Sequence, residues 1–349
     1  ASSGTYVDST GTIKTATTNE ARFDHNPTTG ESLGLLVEEQ RTNLVLNSAT
    51  FQPTSGGAPA SYTVDQVAPD GTTTGSRQTA ATPRTLIDYT GIANALYTFS
   101  FYCRVTSGTA AFSIQLKNAV TDTVIVSDTS QVATTAWRRF SISGTTTGAT
   151  TGARVELTGI VPGFVLWGAQ LEAGAFPTSY IPTTTATVTR SADVASITGT
   201  NFSSWFNATQ STIYSEANSG SGAPYNGYAY TIGASFDDSI THYRQSDFQP
   251  VARVRTASVD EYGAIGNGAI WTGTSVNKFA LGLSATSGRQ ASNGALTILA
   301  DDTSITFPSM SSMTLGALVG GSLALNGHLR RLTYFPQRLS NSTLQTLTQ

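Results

Sequence analysis

The sequence predicts an all-β protein, two antiparallel β-sandwich domains after a short N-terminal β segment, and three observations predict it. Solubility rests on Thr, Ser, Gly and Asn: charged residues make up only 12% of the 349, about half the roughly 25% of ordinary soluble domains. Threonine is β-branched and suits a pleated surface. Apolar and polar residues alternate with period two through most of the chain, the signature of strands with one buried face. Connections are rich in Gly, Asp and Asn, and almost no stretch keeps a helical period. A hydrophobic content of 39% supports packed cores rather than disorder, and the length suits two sandwiches better than one core.

Residues 1–45 read as short strands at 5–7, 11–17, 21–23 and 33–39, separated by the turns Asp8-Ser9-Thr10-Gly11 and Asn26-Pro27-Thr28-Thr29-Gly30. This segment is too small for a core of its own and is expected to pack on a neighbour or on copies of itself. Residues 46–182 form a first module. Within it Leu96, Thr98, Ser100, Tyr102 and Arg104 alternate against Tyr97, Phe99, Phe101 and Cys103. Phe112, Ile114 and Leu116 alternate against Ser113, Gln115 and Lys117, and Val155 and Leu157 against Arg154 and Glu156. A sandwich or jelly roll is the natural closure for such strands. Residues 183–194 are a polar, Thr-rich linker, and 195–349 repeat the all-β habit. The last residues hold the one credible helix, capped by Ser340 with Leu344 and Leu347 on one side.

The formal net charge of −3 and pI near 5.6 offer no electrostatic footprint for nucleic acid or an anionic membrane. No run approaches the roughly 18 apolar residues of a membrane span, so no membrane insertion is expected. The single cysteine, Cys103, excludes an internal disulfide and a cysteine zinc cluster, and its strand setting makes it a small buried hydrophobe. The chain starts without Met in a strand-and-turn pattern and reads as a piece of something longer.

Three blocks resemble a known family in the expected order. The string ARFDHNPTTGESLGLLVEEQRTNLVLNS at 21–48 resembles the linker block of phage tail-fibre and related virion proteins. FVLWGAQLEAGAFPTSYIPT at 164–183 is similar to the closing strands of a carbohydrate-binding-module-like jelly roll in those proteins. LNGHLRRLTYFPQRLSNSTLQTLT at 325–348 is similar to the end of their concanavalin-A-like (laminin-G-like) sandwich. The resemblance implies a phage fibre or receptor-binding protein in the virion, a homotrimer contacting other virion proteins and attaching to host surface polysaccharide or lipopolysaccharide. Histidines and carboxylates are sparse, so no cofactor and no catalysis are expected. Jelly-roll binding modules often hold calcium through acidic residues of the first and last strands. Here the matching stretches supply only Glu172, too few oxygen ligands for a cage, so no metal is carried over.

Fold and site are separable, so the binding residues are sought in the chemistry. Sugars present hydroxyl edges and an apolar C–H face, which suits aromatics beside amides, carboxylates and guanidinium groups. In the first module the wetter face collects Tyr102, Arg104, Gln115, Lys117, Arg154 and Glu156, if their three strands are neighbours; an ordinary solvated face is the competing reading. In the second module the Gly-rich stretch 219–230 carries Tyr225, Tyr228 and Tyr230, with Tyr225 the most exposed and the other two on one strand face. Tyr243, Arg244, Arg253, Arg255 and Trp271 complete a rim; core plus trimer interface is the alternative. Trp137, Trp167 and Trp205 are assigned to cores.

Catalytic patterns are thin. Gly30-Glu31-Ser32-Leu33-Gly34 matches a nucleophile elbow, but a turn precedes it and a strand-like run follows instead of a helix. Of the three histidines, His242 near Asp237 and Asp238 is the best base candidate, with a solvated loop as the simpler reading; His328 is structural. Adjacent carboxylates such as Asp301-Asp302 point to opposite faces of a strand and cannot flank one glycosidic bond. Matches to the glycosylation acceptor pattern at Asn201, Asn207 and Asn341 are chance products if the source is a phage. The rival functions are a purely structural fibre or capsid-decoration part, a polysaccharide depolymerase or esterase, and a secreted bacterial adhesin.

Overall fold

The computed structural model describes residues 4–50, 62–80, 84–90, 95–146, 152–219, 226–265, 271, 275–297 and 304–349. It is all-β, with two antiparallel sandwiches. The first packs a four-stranded sheet on a five-stranded one. In order across each sheet, the strands are Val124–Ala133, Ala110–Asn118, Gly152–Thr158 and Arg84–Thr90, facing Arg138–Thr145, Leu96–Val105, Phe164–Ala173, Gly75–Gln78 and Tyr62–Gln66. The inward set of each alternating strand meets between them: Phe99, Phe101, Ile114, Leu116, Val155 and Leu157 have no exposure. Phe112 stands edge-on to Phe140 at 5.0 Å, a favoured aromatic geometry. Cys103 lies in this core, and burial pushes its thiol well above the usual range.

The outward face of the five-stranded sheet is not the wet face that alternation predicts. Strand Phe164–Ala173 passes from Trp167 opposite Tyr102 to Gln170 opposite Ser100, one extra residue, with Gly168 at φ 65°. Such a bulge exchanges the faces of a strand. Leu166 enters the core before it, and Ala169 and Leu171 after it, while Trp167 emerges outside. There Trp167, Tyr180, Ile13 and Ala68 form a second apolar cluster beneath the hairpin Gly4–Val7 and Ile13–Ala16. Thr98, which donates to the Gly174 carbonyl at 2.8 Å, and Ser100, which accepts from Arg139 at 2.9 Å, are fully buried as well.

The second sandwich faces a six-stranded sheet to a seven-stranded one. The first runs Ala195–Thr198, Ser312–Leu315, Gly227–Gly233, Ser239–Arg244, Pro250–Thr256 and Val259–Ile265. The other runs Ala295–Leu296, Ser287–Ser292, Asn277–Ser284, Gln210–Ser219, Gly327–Phe335, Ser32–Val37 and Phe23–His25. The last two strands come from the N-terminal segment: Leu36 pairs with His328 and Leu35 with Leu329. Gly34 permits the approach. Its φ is +104°, and a Cβ there would sit 2.5 Å from the Arg330 Cα. Residues 1–45 thus divide between the two sandwiches. The helix Asn341–Leu347 covers the outer side of the seven-stranded sheet, Leu344 packing with Tyr214; its cap is Ser340, which accepts from the Thr343 N–H at 3.2 Å.

Nor is 183–194 a free crossing. Val188–Arg190 pairs with Arg41–Asn43, and Arg190 is 2% exposed. Its guanidinium lies 3.5 Å from the Glu38 carboxylate, which also accepts from Arg22 Nη1 at 2.8 Å, Ser179 N at 2.7 Å and Ser179 Oγ at 2.6 Å. Arg22 pairs with Asp193 too. Burial alone would raise the Glu38 carboxyl; the two arginines and Ser179 instead hold it down at about 2. One buried carboxylate therefore ties together the N-terminal segment, the end of the first sandwich and the connection to the second.

Candidate functional site

The groove forms on the outer face of the six-stranded sheet, where a bulge sets its floor. Tyr228 pairs with Tyr243, yet Tyr230 pairs with His242, so the strand Gly227–Gly233 holds one extra residue there. Simple alternation would put Tyr228 and Tyr230 on one face. The bulge sends Tyr230 inward to the main core and leaves Tyr228 outside. Outside, Tyr228 stacks on Tyr243 with centroids 4.7 Å apart and planes at 17°. On the next strand, period two places Val251 and Arg253 outward while Ala252 and Val254 are buried in the core.

A groove of about 540 Å³ lies over this pair. Phe236, Leu318 and Leu323 form its apolar walls, and Asn226, Gln245, Ser246 and Arg253 supply polar groups. Tyr228 and Tyr243 are 3% and 6% exposed, so they are the floor, and Leu323 at 45% is the main apolar surface a ligand would meet. Burial raises the Tyr228 phenol to about 12, its neighbour Tyr243 adds to the rise, and burial raises Tyr243 likewise. Both phenols are thus protonated donors at neutral pH. Neither hydroxyl, nor the Gln245 side-chain amide, has a hydrogen-bond partner among the described residues. Asn226 is fixed by accepting from the Ser246 N–H at 3.0 Å, which leaves its NH₂ free to donate. The groove therefore combines an apolar wall, an aromatic floor and unengaged planar donors and acceptors.

The residues expected from sequence distribute as follows. Tyr228, Tyr243 and Arg253 come together in this groove. Tyr225 lies outside the described residues. Trp271 is not on the rim: it is fully buried on the opposite side of the sheet, 4.7 Å from Phe279 and 5.8 Å from His242. Arg244 is also buried, donating to Ser219 Oγ at 2.7 Å beneath Phe248. Arg255 lies over Phe236 and pairs with Asp237 and Asp260.

The six first-module candidates do not share a face. Tyr102 and Arg104 belong to the five-stranded sheet, and Gln115, Lys117, Arg154 and Glu156 to the four-stranded one; outward faces of opposed sheets look away from each other. Tyr102 sits beneath the N-terminal hairpin, edge-on to Trp167 at 5.4 Å, with Arg139 over it. It lines a cavity of about 220 Å³ with Asp24, Tyr180 and His328. Arg104 donates to Gln66 at 2.8 Å beside Trp137. On the other sheet Arg154 grips Asp88 through two bonds of 2.6 and 2.9 Å and reaches Asp122 at 3.0 Å, while Lys117 donates to Glu156 at 2.7 Å. These side chains satisfy one another, and Arg154 is held strongly protonated, first by its bond to Asp88.

Of the tryptophans assigned to cores, Trp167 is fully buried, while Trp137, just before strand Arg138–Thr145, and Trp205, in the turn after the short helix Thr200–Ser203, are half-buried and pack against apolar clusters. Ser32 opens strand Ser32–Val37 after a turn, so the Gly30–Gly34 motif is a turn feeding a strand. His242 is not on a solvated loop. It lies inside strand Ser239–Arg244 at 1% exposure with neither ring nitrogen hydrogen-bonded among the described residues, and burial lowers it to about 3. Glu172 is fully buried and accepts from Gln170, the Thr178 N–H and the Thr178 hydroxyl at 2.7–2.9 Å. No group of three or more His, Cys, Asp or Glu that could hold a metal occurs among the described residues.

Sequence reasoning missed Leu318, Leu323, Phe236, Asn226, Gln245 and Ser246. The leucines lie about 90 residues downstream of Tyr228 and reach it only because Ser312–Leu315 pairs with Gly227–Gly233. Asn226 and Gln245 flank the paired strand ends that carry Tyr228 and Tyr243, the one local signal available.

No protein-family model matches the chain, and no curated protein matches it. Among solved structures, the chain is similar to the Ruminococcus gnavus IT-sialidase CBM40 bound to α2,3-sialyllactose, with a TM-score of 0.37 and 17% identity over 42% of this chain and 86% of that one. It is similar to the NanB sialidase of Streptococcus pneumoniae, with 0.38 and 12% over 44% and 27%. A pentraxin of Limulus polyphemus gives 0.33 and 15% over 41% and 70%. Likeness at these levels carries no functional argument.

Proposed function

We propose that this chain is a non-catalytic glycan-binding protein whose groove over Tyr228 and Tyr243 holds a surface saccharide. The observation that carries the proposal is the groove itself: apolar walls of Leu318, Leu323 and Phe236 face unengaged phenol and amide groups and the Arg253 guanidinium, whose ion pair with Asp260 spans 3.6 Å. Such a lining complements a sugar, which offers C–H to the walls and hydroxyls to the planar groups.

Two of the three histidines support a role without catalysis; the third, His25, lies in strand Phe23–His25 with Nδ1 3.1 Å from the Val7 carbonyl. Both ring nitrogens of His328 are occupied, at 2.9 Å by Asp24 and 3.1 Å by Asn218, leaving none to activate a nucleophile. His242 is sealed in the core.

The setting we propose is a bacteriophage fibre, as a homotrimer attached to other virion proteins, on the strength of the three sequence blocks at 21–48, 164–183 and 325–348. Three copies engaging a repetitive polymer would raise weak single-site affinity. The test is binding of the folded protein to intact bacterial cells and to cells stripped of surface polysaccharide. Binding lost on stripping supports the proposal. Absence of binding to intact cells of a susceptible host rejects it in favour of a purely structural virion part.

A further inference from the structure

Among the described residues lining the groove, Arg253 alone carries a formal charge. The neighbouring Arg255 is engaged, donating to the Ser258 carbonyl at 2.7 Å and pairing with Asp260 at 3.1 Å and Asp237 at 3.4 Å. Arg253 has one contact of this kind, Nε to the same Asp260 at 3.6 Å, beyond hydrogen-bond reach. Its other nitrogens bond to nothing among the described residues. Among the described residues no Asp or Glu lines the groove, although Asp260 and Asp247 lie near enough to Tyr243 to raise its phenol.

From this we infer that the groove selects carboxylated sugars, uronic or ulosonic acids, with Arg253 as the carboxylate-binding residue. The inference rests on the glycan-binding reading and narrows it. A guanidinium presents parallel donors that match the two oxygens of a carboxylate. The apolar wall beside it lowers the local screening by water and strengthens that pair. Neutral sugars would have to satisfy the same fork with hydroxyls, which are weaker partners.

The experiment arrays uronate- and ulosonate-bearing oligosaccharides beside the same compounds with each carboxylate reduced to the alcohol. The full chain, Arg253→Gln and Arg253→Lys are compared at low and high salt, with thermal melts confirming folding. The expected result is binding of the acids over their reduced forms by about tenfold or more, lost in Arg253→Gln and partly kept in Arg253→Lys. Equal binding of acid and reduced forms overturns the inference while leaving the glycan reading intact. Failure to bind either kind of oligosaccharide overturns both. Retention of the acid preference in Arg253→Gln removes Arg253 from the role.

Discussion

Tyr228 and Tyr243 stack face to face at 4.7 Å on the outside of a sheet whose inside holds Tyr230 and His242. One inserted residue separates the two environments. The rings contribute packing and neither hydroxyl has a hydrogen-bond partner among the described residues, so the two contributions are separable. Tyr243→Phe is expected to leave stability within about 1 kcal/mol, since only an unpartnered hydroxyl is lost, and to weaken glycan binding several-fold. Tyr243→Ala is expected to cost on the order of 2–3 kcal/mol through lost burial and stacking. Chemical denaturation and binding titration of both variants check this, and a Tyr243→Phe variant with undiminished binding would remove the phenol from the site.

Glu38 gives a second prediction. Its folded value of about 2 lies below the ordinary 4.5. A depressed carboxylate stabilises the fold above pH 4.5, and that stability falls away as pH drops through the window from 4.5 to 2, by about 3 kcal/mol in all. Glu38→Gln should cost on the order of 3 kcal/mol at neutral pH, because the buried Arg22 and Arg190 are left sharing Asp193 as their one remaining carboxylate among the described residues. The same change should flatten stability against pH in that window. Denaturation of both proteins at pH 7 and pH 3 decides it.

His242 acts in a different window. Burial lowers it from 6.5 to about 3, so the unfolded chain takes up a proton there that the folded chain refuses. Stability therefore declines as pH falls from 6.5 to 3, by up to roughly 4–5 kcal/mol. His242→Phe, which keeps an aromatic ring beside Trp271 and Phe279, should lessen that decline. An unchanged slope between pH 6.5 and 4.5 would contradict the assignment.

The strand Ser32–Val37 predicts how the chain can be divided. A fragment of residues 195–349 lacks the two strands that complete the seven-stranded sheet and exposes the edge of Gly327–Phe335, an aggregation-prone arrangement. It is expected to be insoluble or unfolded, and to recover when residues 20–40 are supplied. Gly34→Ala in the full chain should cost on the order of 3 kcal/mol or more, since the residue combines φ +104° with a close backbone approach. A stable, monomeric 195–349 fragment would show that these strands are dispensable.

The alternating strands made the fold class and the inward residues of both cores legible, as with Phe99, Phe101 and Cys103. Two bulges defeated the same alternation, at Gly168 and between Tyr228 and Tyr230, because an extra residue leaves the pattern of apolar positions unchanged in kind while reversing its direction. Pairing between residues 292 positions apart, as of Leu36 with His328, has no local signature, so the segment 1–45 reads as separate. For the same reason Gln115 and Tyr102 read as one face although they belong to opposed sheets. Three groove residues, Tyr228, Tyr243 and Arg253, were legible from composition near a Gly-rich loop. The leucine wall was not, since the strand Ser312–Leu315 ends before it and its approach to Tyr228 follows from pairing with a strand about 85 residues away.

The most direct test of the groove is a titration of oligosaccharides, first identified by array, into the wild-type chain and into Ser246→Trp. Ser246 is exposed and lines the groove, so a tryptophan there fills the cavity without disturbing either core. The expected result is an unchanged melting temperature and loss of binding. Binding undiminished in a folded Ser246→Trp protein would contradict the assignment of the site to this groove.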